Sequence, residues 1–243
     1  MTTQTQNPAY RPALSLPSAE GDLPCVWALA DTHLGTAIGR TMDRFGPHWH
    51  DHAARIAENA SRVVRPHDIL LLPGDLSWAT KRRDAEPDLA LLAALPGIKV
   101  VIKGNHDHWW PSKKPLTYPG LHTPPFRVGD IGIAGTRGWF VPPAQSATEA
   151  ADQAVLERER ARLAASLSVI DGCSTRIVML HYPPHPFINE LVAAHVDAVV
   201  YGHLHLGSLP EDEAMYLDGE RLGGIPCFCV AADRIDFTPK RIL

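Results

Sequence analysis

The stretch Ile98–Asp107 reads IKVVIKGNHD, an apolar run followed, after one lysine, by glycine, asparagine, histidine and aspartate. A continuous β-branched run of this kind predicts a strand that is buried on both faces. Similar short apolar runs lead to Asp31, Gly74, Gly135, His181 and Gly202, and a further one spans Cys227 to Ala231. The strand before Gly104 is therefore one member of a repeated pattern.

Helical patterns lie between these runs. Apolar residues repeat at helical spacing within 56–64, 89–92 and 156–167. The alternation of strand and helix predicts the α/β class with a largely parallel or mixed sheet. We expect residues 1–23 to be a flexible N-terminal leader and residues 24–243 to form a single domain.

The composition is that of a globular protein, with 243 residues, 45% hydrophobic residues and a formal net charge of −4. The mild acidity argues against an extended nucleic-acid surface and against adhesion to anionic membranes. No apolar run reaches the roughly 20 residues that span a bilayer. The four cysteines have no CxxC spacing and the polar N-terminus has no signal-peptide pattern, so we expect reduced thiols and a cytoplasmic location.

Histidine is unusually frequent, at 13 residues against 6 Phe and 5 Tyr. Side chains of the metal-binding type follow five of the predicted strands: Asp31 and His33, Asp75, Asn105 and His106, His181, and His203 and His205. Ligands gather beyond the carboxyl ends of strands in α/β sheets, and alternate residues at a strand exit point to the same side. Each DxH-like or HxH-like pair could therefore chelate one ion. The donors are nitrogen and oxygen without thiolate, which favours Mn²⁺, Fe or Zn²⁺ over a structural zinc site.

Taken in order, these residues resemble the calcineurin-like metallophosphoesterase family, whose signature is DxH, GD, GNH[D/E], a lone His and GHxH. The five elements are Asp31-Thr32-His33, Gly74-Asp75, Gly104-Asn105-His106-Asp107, His181 and Gly202-His203-Leu204-His205. They follow the family order across most of the chain. The resemblance implies a four-layer α-β-β-α sandwich of two mixed sheets flanked by helices.

The resemblance also implies a binuclear centre that binds two divalent metal ions, with Mn²⁺ favoured and Fe or Zn²⁺ as alternatives. By motif position the first ion would be held by Asp31, His33, Asp75 and His205, and the second by Asp75, Asn105, His181 and His203. A carboxylate shared between two cations offsets their mutual repulsion. His106 matches the catalytic histidine of the family, which protonates the leaving oxygen or stabilises its charge. A purely structural role, or a role as a further ligand, is the alternative for His106.

The implied reaction is hydrolysis of a phosphate ester by attack of a metal-bridging hydroxide. We expect phosphodiesterase activity on a small molecule or nucleotide. The alternatives are a phosphomonoesterase or a protein Ser/Thr phosphatase on the same site, or a non-catalytic scaffold of the same fold. The protein-phosphatase branch has a second aspartate three residues after the bridging one, which orients the catalytic histidine. Trp78 stands there in this chain, which argues against a phosphoprotein phosphatase and leaves open what orients His106. The sequence does not indicate an oligomeric state.

Three other features have two interpretations each. Arg137 follows a predicted strand, and its forked donors could reach a phosphate oxygen or form a surface ion pair. His48 and His52 are four residues apart, so they could bind an ion, although a polar helix face or a wall near the substrate is favoured. Trp109 and Trp110 could stack a nucleobase or anchor the Pro-rich loop that follows them.

Overall fold

The structure, a computed structural model, describes residues 23–111, 115–139, 150–207 and 220–243. Residues 1–22, nearly all of the predicted leader, lie outside the described residues. The strands are β1 (Val26–Ala28), β2 (Ile69–Leu72), β3 (Ile98–Val101), β4 (Leu121–His122), β5 (Phe126–Val128), β6 (Ile131–Gly135), β7 (Thr175–Met179), β8 (Ala198–Tyr201), β9 (Glu220–Leu222), β10 (Ile225–Cys229) and β11 (Lys240–Arg241). The α-helices are α1 (His52–Val63), α2 (Arg82–Ala94), α3 (Ala150–Ile170) and α4 (Ile188–Ala193).

The described strands form two mixed sheets. The first has the order β11-β1-β2-β3-β4 and the second the order β5-β6-β7-β8-β10-β9. In the first sheet β1 to β4 are parallel and β11 is antiparallel. In the second sheet β6, β7, β8 and β10 are parallel, and β5 and β9 are antiparallel edges. The α/β class and the two mixed sheets flanked by helices are therefore confirmed.

Strand β2 shows why the central strands are continuously apolar. Leu70 and Leu72 pack in a buried cluster with residues of α1 and α2, such as Ile56 and Leu89. The alternate residues Ile69 and Leu71 pack in a second cluster that lies between the two sheets. Successive side chains of a strand point to opposite faces, so a strand covered on both faces needs apolar residues at every position.

The second sheet is arranged in the same way. Val178 of β7 packs with Leu163 of α3 and Leu191 of α4, whereas Ile177 and Met179 face the cluster between the sheets. Helices, sheet, sheet and helices thus form four layers. The helical patterns predicted within 89–92 and 156–167 lie in α2 and α3, and that within 56–64 lies in α1 except for Val64, which follows its last residue. All three helices begin before the first predicted apolar residue.

The carboxyl ends of the two sheets are joined. Ala30, just after β1, forms an isolated parallel bridge with Ala231, just after β10. The amide of Ala30 donates a hydrogen bond of 2.8 Å to the carbonyl oxygen of Val230. The segments that leave the parallel strands of both sheets therefore meet at one end of the sandwich.

All four cysteines are free thiols, as the spacing predicts. Among the described helices none is both long enough and apolar enough to cross a membrane.

Candidate metal centre

The segments after β1 and β8 bring three predicted ligands together. Nε2 of His33 lies 3.1 Å from Nε2 of His205 and 4.0 Å from Oδ1 of Asp31. Nε2 of His205 lies 3.9 Å from the same Asp31 oxygen. These three residues can offer one donor atom each to a single cation.

The segments after β2, β3 and β7 supply a second group. Nε2 of His181 lies 2.6 Å from Oδ1 of Asn105 and 3.6 Å from Oδ2 of Asp75. Nδ1 of His203 lies 3.1 Å from the same Asn105 oxygen. Oδ2 of Asp75 is also 3.8 Å from Nε2 of His33, which belongs to the first group. Asp75 therefore lies between the two groups.

One expectation from strand spacing is wrong. His203 and His205 do not serve one ion as an alternating pair, because His203 faces Asn105 and His205 faces His33. The reason is the backbone, since His203 has a φ of 71°. An alternation rule holds only for extended chain, and this exit segment is not extended.

Left-handed backbone is frequent in the ligand residues. Asp31, His33 and Asp75 have φ values of 57°, 42° and 52°. Positive φ is uncommon outside glycine and clusters at functional sites, where the surrounding structure holds it in place. With His203, the chain thus turns sharply at the exits of three strands, β1, β2 and β8, and the turns bring the side chains together.

The glycines of the GN and GH elements are needed to leave room for the carboxylates. A Cβ at Gly104 would lie 2.0 Å from Oδ1 of Asp75, and a Cβ at Gly202 would lie 2.2 Å from Oδ2 of Asp31. No side chain fits at such distances. These two glycines are therefore part of the cradle around the two aspartates.

The residues of this site fit divalent cations. Asp31 is fully buried, and its Oδ2 accepts a hydrogen bond of 2.9 Å from the amide of His203, but its Oδ1 has no hydrogen-bond partner. A buried carboxylate oxygen without a donor is costly unless a cation compensates it. The neighbouring donors are imidazole nitrogens and carboxylate oxygens, which suit a transition-metal dication.

The electrostatics point the same way. Burial raises the pKa of the Asp31 and Asp75 carboxyls above the ordinary range. Burial also lowers the pKa of His181 and of His203 to about 3, and that of His33 well below its usual value. The imidazoles are therefore neutral near pH 7, which is the form that binds a metal ion.

Asp233 supports the site and was missed by the sequence analysis. Its Oδ1 lies 3.0 Å from Nδ1 of His205, and its Oδ2 accepts a hydrogen bond of 2.9 Å from the amide of Leu206. Burial opposes protonation of His205, but the hydrogen bond to Asp233 together with the negative charges of Asp31, Asp233 and Asp75 outweighs burial and raises the pKa of His205. A carboxylate behind a metal-binding histidine fixes its tautomer and orientation. The sequence signal for Asp233 is its position two residues after the apolar run that ends at Ala231.

His181 is oriented by the backbone instead. Its Nδ1 lies 3.0 Å from the carbonyl oxygen of Pro73. A carbonyl can only accept, so Nδ1 carries the proton and Nε2 is left free to face Asp75 and Asn105.

His106 lies at the rim of the site, with 39% of its side chain exposed. Its Nε2 is 4.0 Å from Oδ2 of Asp75, and within the described ranges no hydrogen bond reaches its ring. The indole of Trp78 packs beside it, with ring centroids 4.5 Å apart, and stacks on His33 at 4.7 Å and 20°. The guanidinium of Arg40 covers the same indole at 4.5 Å. Trp78 thus contacts His106 at the place where the protein-phosphatase branch has its aspartate.

Asp107, the last residue of the GNHD element, is structural. It is fully buried and accepts hydrogen bonds from the amides of Leu76, Ser77 and Gly104 and from Nε1 of Trp109. Burial raises the pKa of Asp107 to about 7. The residue ties the segment after β2 to the segment after β3, and it favours the anchoring interpretation of Trp109.

Arg137 lies beside the centre. Its carbonyl oxygen accepts hydrogen bonds from the amides of His181 and Tyr182, and its guanidinium lies 5.1 Å from the ring of Trp139. The predicted alternative, a surface ion pair, does not occur among the residues that the structure describes. Burial, together with the charges of Arg137 and Arg162, lowers the pKa of Lys103 on the neighbouring segment.

Of the pair His48 and His52, only His52 lies near the site. Helix α1 begins at His52 after a left-handed Asp51, while His48 belongs to the short 3₁₀ segment Pro47–Trp49, so the two histidines do not share a helix face. Trp49 is buried and packs edge-on against His52 and His205, at 5.4 Å and 5.6 Å. Trp49 and His52 therefore form a wall of the site.

The match to a family profile agrees with this arrangement. The sequence profile of the calcineurin-like phosphoesterases matches residues 26–207. The phosphopantetheinyl hydrolase of Mycobacterium tuberculosis has a similar structure, with a TM-score of 0.56 and 15% identity over 90% of this chain and 96% of that chain. A protein of unknown function from Aquifex aeolicus, also 15% identical over 90% of this chain and 96% of its own, has a TM-score of 0.46. No curated protein matches the chain. The profile spans most of the sequence and contains all five motif elements, so the chain belongs to the calcineurin-like phosphoesterase family.

Proposed function

We propose that the protein is a phosphoesterase with a binuclear metal centre, and that it hydrolyses phosphodiesters in preference to monoesters. The two ions, for which Mn²⁺ is the favoured species, would bind Asp31, His33, Asp75 and His205 on one side and Asp75, Asn105, His181 and His203 on the other. The family match supports metal-dependent hydrolysis of phosphate esters.

The observation that carries this proposal is the position of Asp75. Its Oδ2 lies within 4.0 Å of Nε2 of His33, His106 and His181, which come from three different segments. Its Oδ1 accepts a hydrogen bond of 2.8 Å from the amide of His106, which fixes the carboxylate. A carboxylate held between two groups of imidazoles is the arrangement that a shared ligand requires.

When bound, a pair of dications lowers the pKa of water and neutralises phosphoryl charge. The residues of the chain then have separate tasks. Asp233 and the carbonyl of Pro73 hold the rings of His205 and His181 in the orientation that directs Nε2 toward the centre. His106 is exposed at the rim beside Asp75, so it can give a proton to the leaving oxygen of the ester. Burial lowers the pKa of His106, so its imidazolium releases a proton more readily but is the minor form of the ring near pH 7.

The preference for diesters rests on Trp78. An indole replaces the aspartate that orients the catalytic histidine in protein phosphatases, so an apolar surface lies beside His106. An apolar wall suits the organic group of a diester better than a solvated phosphopeptide. The structural neighbour from Mycobacterium tuberculosis is named for phosphopantetheinyl hydrolysis, so a phosphopantetheinyl diester belongs among the candidate substrates.

The test is a turnover assay of the purified protein loaded with Mn²⁺, Fe²⁺ or Zn²⁺. The substrates are bis(p-nitrophenyl) phosphate, p-nitrophenyl phosphate, a phosphopantetheinyl diester and a phosphopeptide. We expect two ions per chain by elemental analysis and a higher kcat/KM for the diesters. A protein with two bound ions that hydrolyses none of these esters would overturn the proposal.

A matched pair of variants tests the role of His106. His106→Asn should lower kcat by about 10²- to 10⁴-fold with unchanged metal content, because it removes a general acid. His195→Asn is the control, since His195 is exposed, follows α4 and has a φ of 50° that asparagine tolerates. Equal activities of the two variants would show that His106 is structural.

A further inference from the structure

A cleft of about 530 Å³ opens beside the metal centre, next to the ends of β3 and β6. Its charged lining consists of Lys103, Arg137, Arg158, Arg162 and one carboxylate, Glu159. None of the residues predicted to bind metal lines it. The cleft is therefore a separate cationic space on a chain whose formal net charge is −4.

The carboxylate of the cleft is already occupied by other groups. Glu159 is 1% exposed, and its Oε2 accepts hydrogen bonds from the hydroxyl of Thr136 and the amide of Gly138. Its Oε1 pairs with Arg162. Glu159 thus holds the segment after β6 and neutralises a single arginine.

Three cations of the cleft are left without a carboxylate. Over the ranges that the structure describes, Lys103, Arg137 and Arg158 form no ion pair. Lys103 and Arg137 are half-buried, so their charges are only partly screened by water. Like charges gathered in a concave, half-buried space attract an anion, and the fork of an arginine matches a phosphate group.

The cleft is adjacent to the predicted catalytic centre. The carbonyl oxygen of Arg137 accepts the amide of His181 at 3.0 Å. Lys103 precedes Asn105 by two residues, so their Cα atoms are at most about 7 Å apart. A ligand that spans both spaces would therefore be the size of a nucleotide, and not of a polymer.

The rest of the lining is suited to an organic group. The ring of Trp110, together with Pro111, Pro115 and Pro124, forms an apolar side of the same cleft. Such a mixture of apolar walls and a few convergent charges is typical of sites for small organic ligands. Inorganic phosphate alone would leave these walls unused.

We propose that this cleft is a second anion subsite, which binds a non-scissile phosphoryl group of the substrate through Lys103, Arg137 and Arg158. This inference rests on the proposed function, and it specifies the substrate class. Preferred substrates are small organic esters that carry two phosphoryl groups, one cleaved at the metal centre and one held in the cleft.

Binding to metal-free protein tests the subsite without turnover. After treatment with EDTA the metal centre offers two buried carboxylates, which repel phosphate, so adenosine 3′,5′-bisphosphate binds through the cleft. We expect Arg137→Gln and Lys103→Gln each to weaken this binding at least about tenfold in calorimetry, because each removes a charge-assisted contact. Arg83→Gln is the matched control, since Arg83 is exposed on α2 outside the cleft. Unchanged binding in both cleft variants would overturn the subsite.

Turnover of two related diesters separates this inference from the proposed function. The p-nitrophenyl diester of thymidine 5′-phosphate is compared with the same compound carrying a 3′-phosphate, using the Mn²⁺-loaded protein. We expect the 3′-phosphate to raise kcat/KM at least about tenfold in the natural protein and in Arg83→Gln, and much less in Arg137→Gln. Hydrolysis of both compounds at equal rates would refute the subsite and leave the esterase activity standing. Loss of bisphosphate binding in Arg137→Gln without hydrolysis of either compound would refute the esterase activity and leave the anion subsite standing.

Discussion

Strand β2 has an aspartate at each end, and the two carboxylates lie in opposite surroundings. Asp68 immediately precedes the strand, and Asp75 follows it by three residues. Both side chains are almost completely buried. Asp68 accepts hydrogen bonds from the amides of Cys25 and Arg65, from Nε1 of Trp27 and from the Arg65 guanidinium. Asp75 accepts one amide bond and otherwise faces imidazole rings.

The two pKa values follow from this difference. Burial opposes ionisation of Asp68, but its hydrogen bonds from Arg65, Cys25 and Trp27 outweigh burial and lower its pKa to about 2. Burial dominates at Asp75 and raises its pKa. Hydrogen-bond donors of the protein thus satisfy the Asp68 carboxylate, whereas Asp75, the predicted shared ligand, has a single donor in the described part of the chain. The first stabilises the fold, and the second is available for chemistry.

The largest expected effect is that of Asp75→Asn on activity. The variant should lose at least about 10³-fold in kcat/KM, because a shared metal ligand supports several kcal/mol of transition-state stabilisation. In the metal-free protein the same change should leave the free energy of unfolding unchanged or raise it, since the buried carboxylate has a raised pKa and opposes folding near pH 7. Ester turnover and urea unfolding measure the two effects. Full turnover by this variant would show that Asp75 is not a shared metal ligand.

Asp68→Asn makes the same substitution at the other end of the strand. We expect a loss of about 3 kcal/mol in the free energy of unfolding, because Arg65 loses its partner and donors that met a carboxylate now face an amide. The kcat/KM of the folded protein should not change. If Asp68→Asn lowers turnover and leaves the free energy of unfolding unchanged, then Asp68 does not have the purely stabilising role assigned to it.

The pH dependence of stability gives an independent check on Asp68. Its pKa of about 2 in the folded protein lies below the value of about 3.9 in an unfolded chain, so its contribution is complete above that unfolded value and is lost as pH falls through about 2. The contribution is roughly 2 kcal/mol at neutral pH, and roughly half of it should be gone at pH 3. The stability difference between natural protein and Asp68→Asn, both metal-free, should shrink accordingly in urea titrations at pH 7 and pH 3.

Asp233→Asn has an intermediate expected effect. The change removes the carboxylate behind His205, and such supporting groups typically contribute about 10- to 100-fold in metal affinity or activity. Competition with a chelator measures the affinity for Mn²⁺. Asp171→Asn is the control, because the side chain of Asp171 is 80% exposed and lies outside the centre. Equal affinities of the two variants would show that Asp233 does not support the metal.

The structure brings the predicted ligands together because each of them follows a strand. Strands β2 and β8 end just before Gly74 and Gly202, to which the apolar runs lead, and Asp75, His181 and His203 follow their strands as expected. The spacing of a motif is local information, and the parallel arrangement of the strands converts it into a shared location. The difference between Asp68 and Asp75 is only partly local. Arg65 donates to Asp68 from three residues away, whereas the indole of Trp27 and the rings around Asp75 come from other segments.

The features that could not be predicted are also contacts between distant segments. The short edge strands β4 and β11 have two residues each and carry no periodicity to detect. The pairing of Asp233 with His205 joins residues 28 positions apart. The side chains of His203 and His205 point to different groups because His203 has a left-handed φ, which a histidine in the sequence does not predict. The pattern of strands and helices alone predicts an α/β protein, and the division into two sheets came from the family resemblance.

The smallest expected effect concerns Trp78, which holds the carboxyl end of β2 by ring contacts where Asp68 holds the other end by hydrogen bonds. Trp78→Leu should lower kcat roughly 2- to 10-fold with little change in KM, because an aromatic pair contributes about 0.5–1.5 kcal/mol and its loss frees the ring of His106. Trp78→Phe keeps a ring beside His106 and should restore most of kcat. Steady-state kinetics and thermal unfolding of both variants separate the two roles of the indole, since its Nε1 also contacts Sδ of Met42 at 3.0 Å. If Trp78→Leu lowers Tm and leaves kcat unchanged, Trp78 packs the fold without positioning His106, and the two ends of β2 then differ only in their carboxylates.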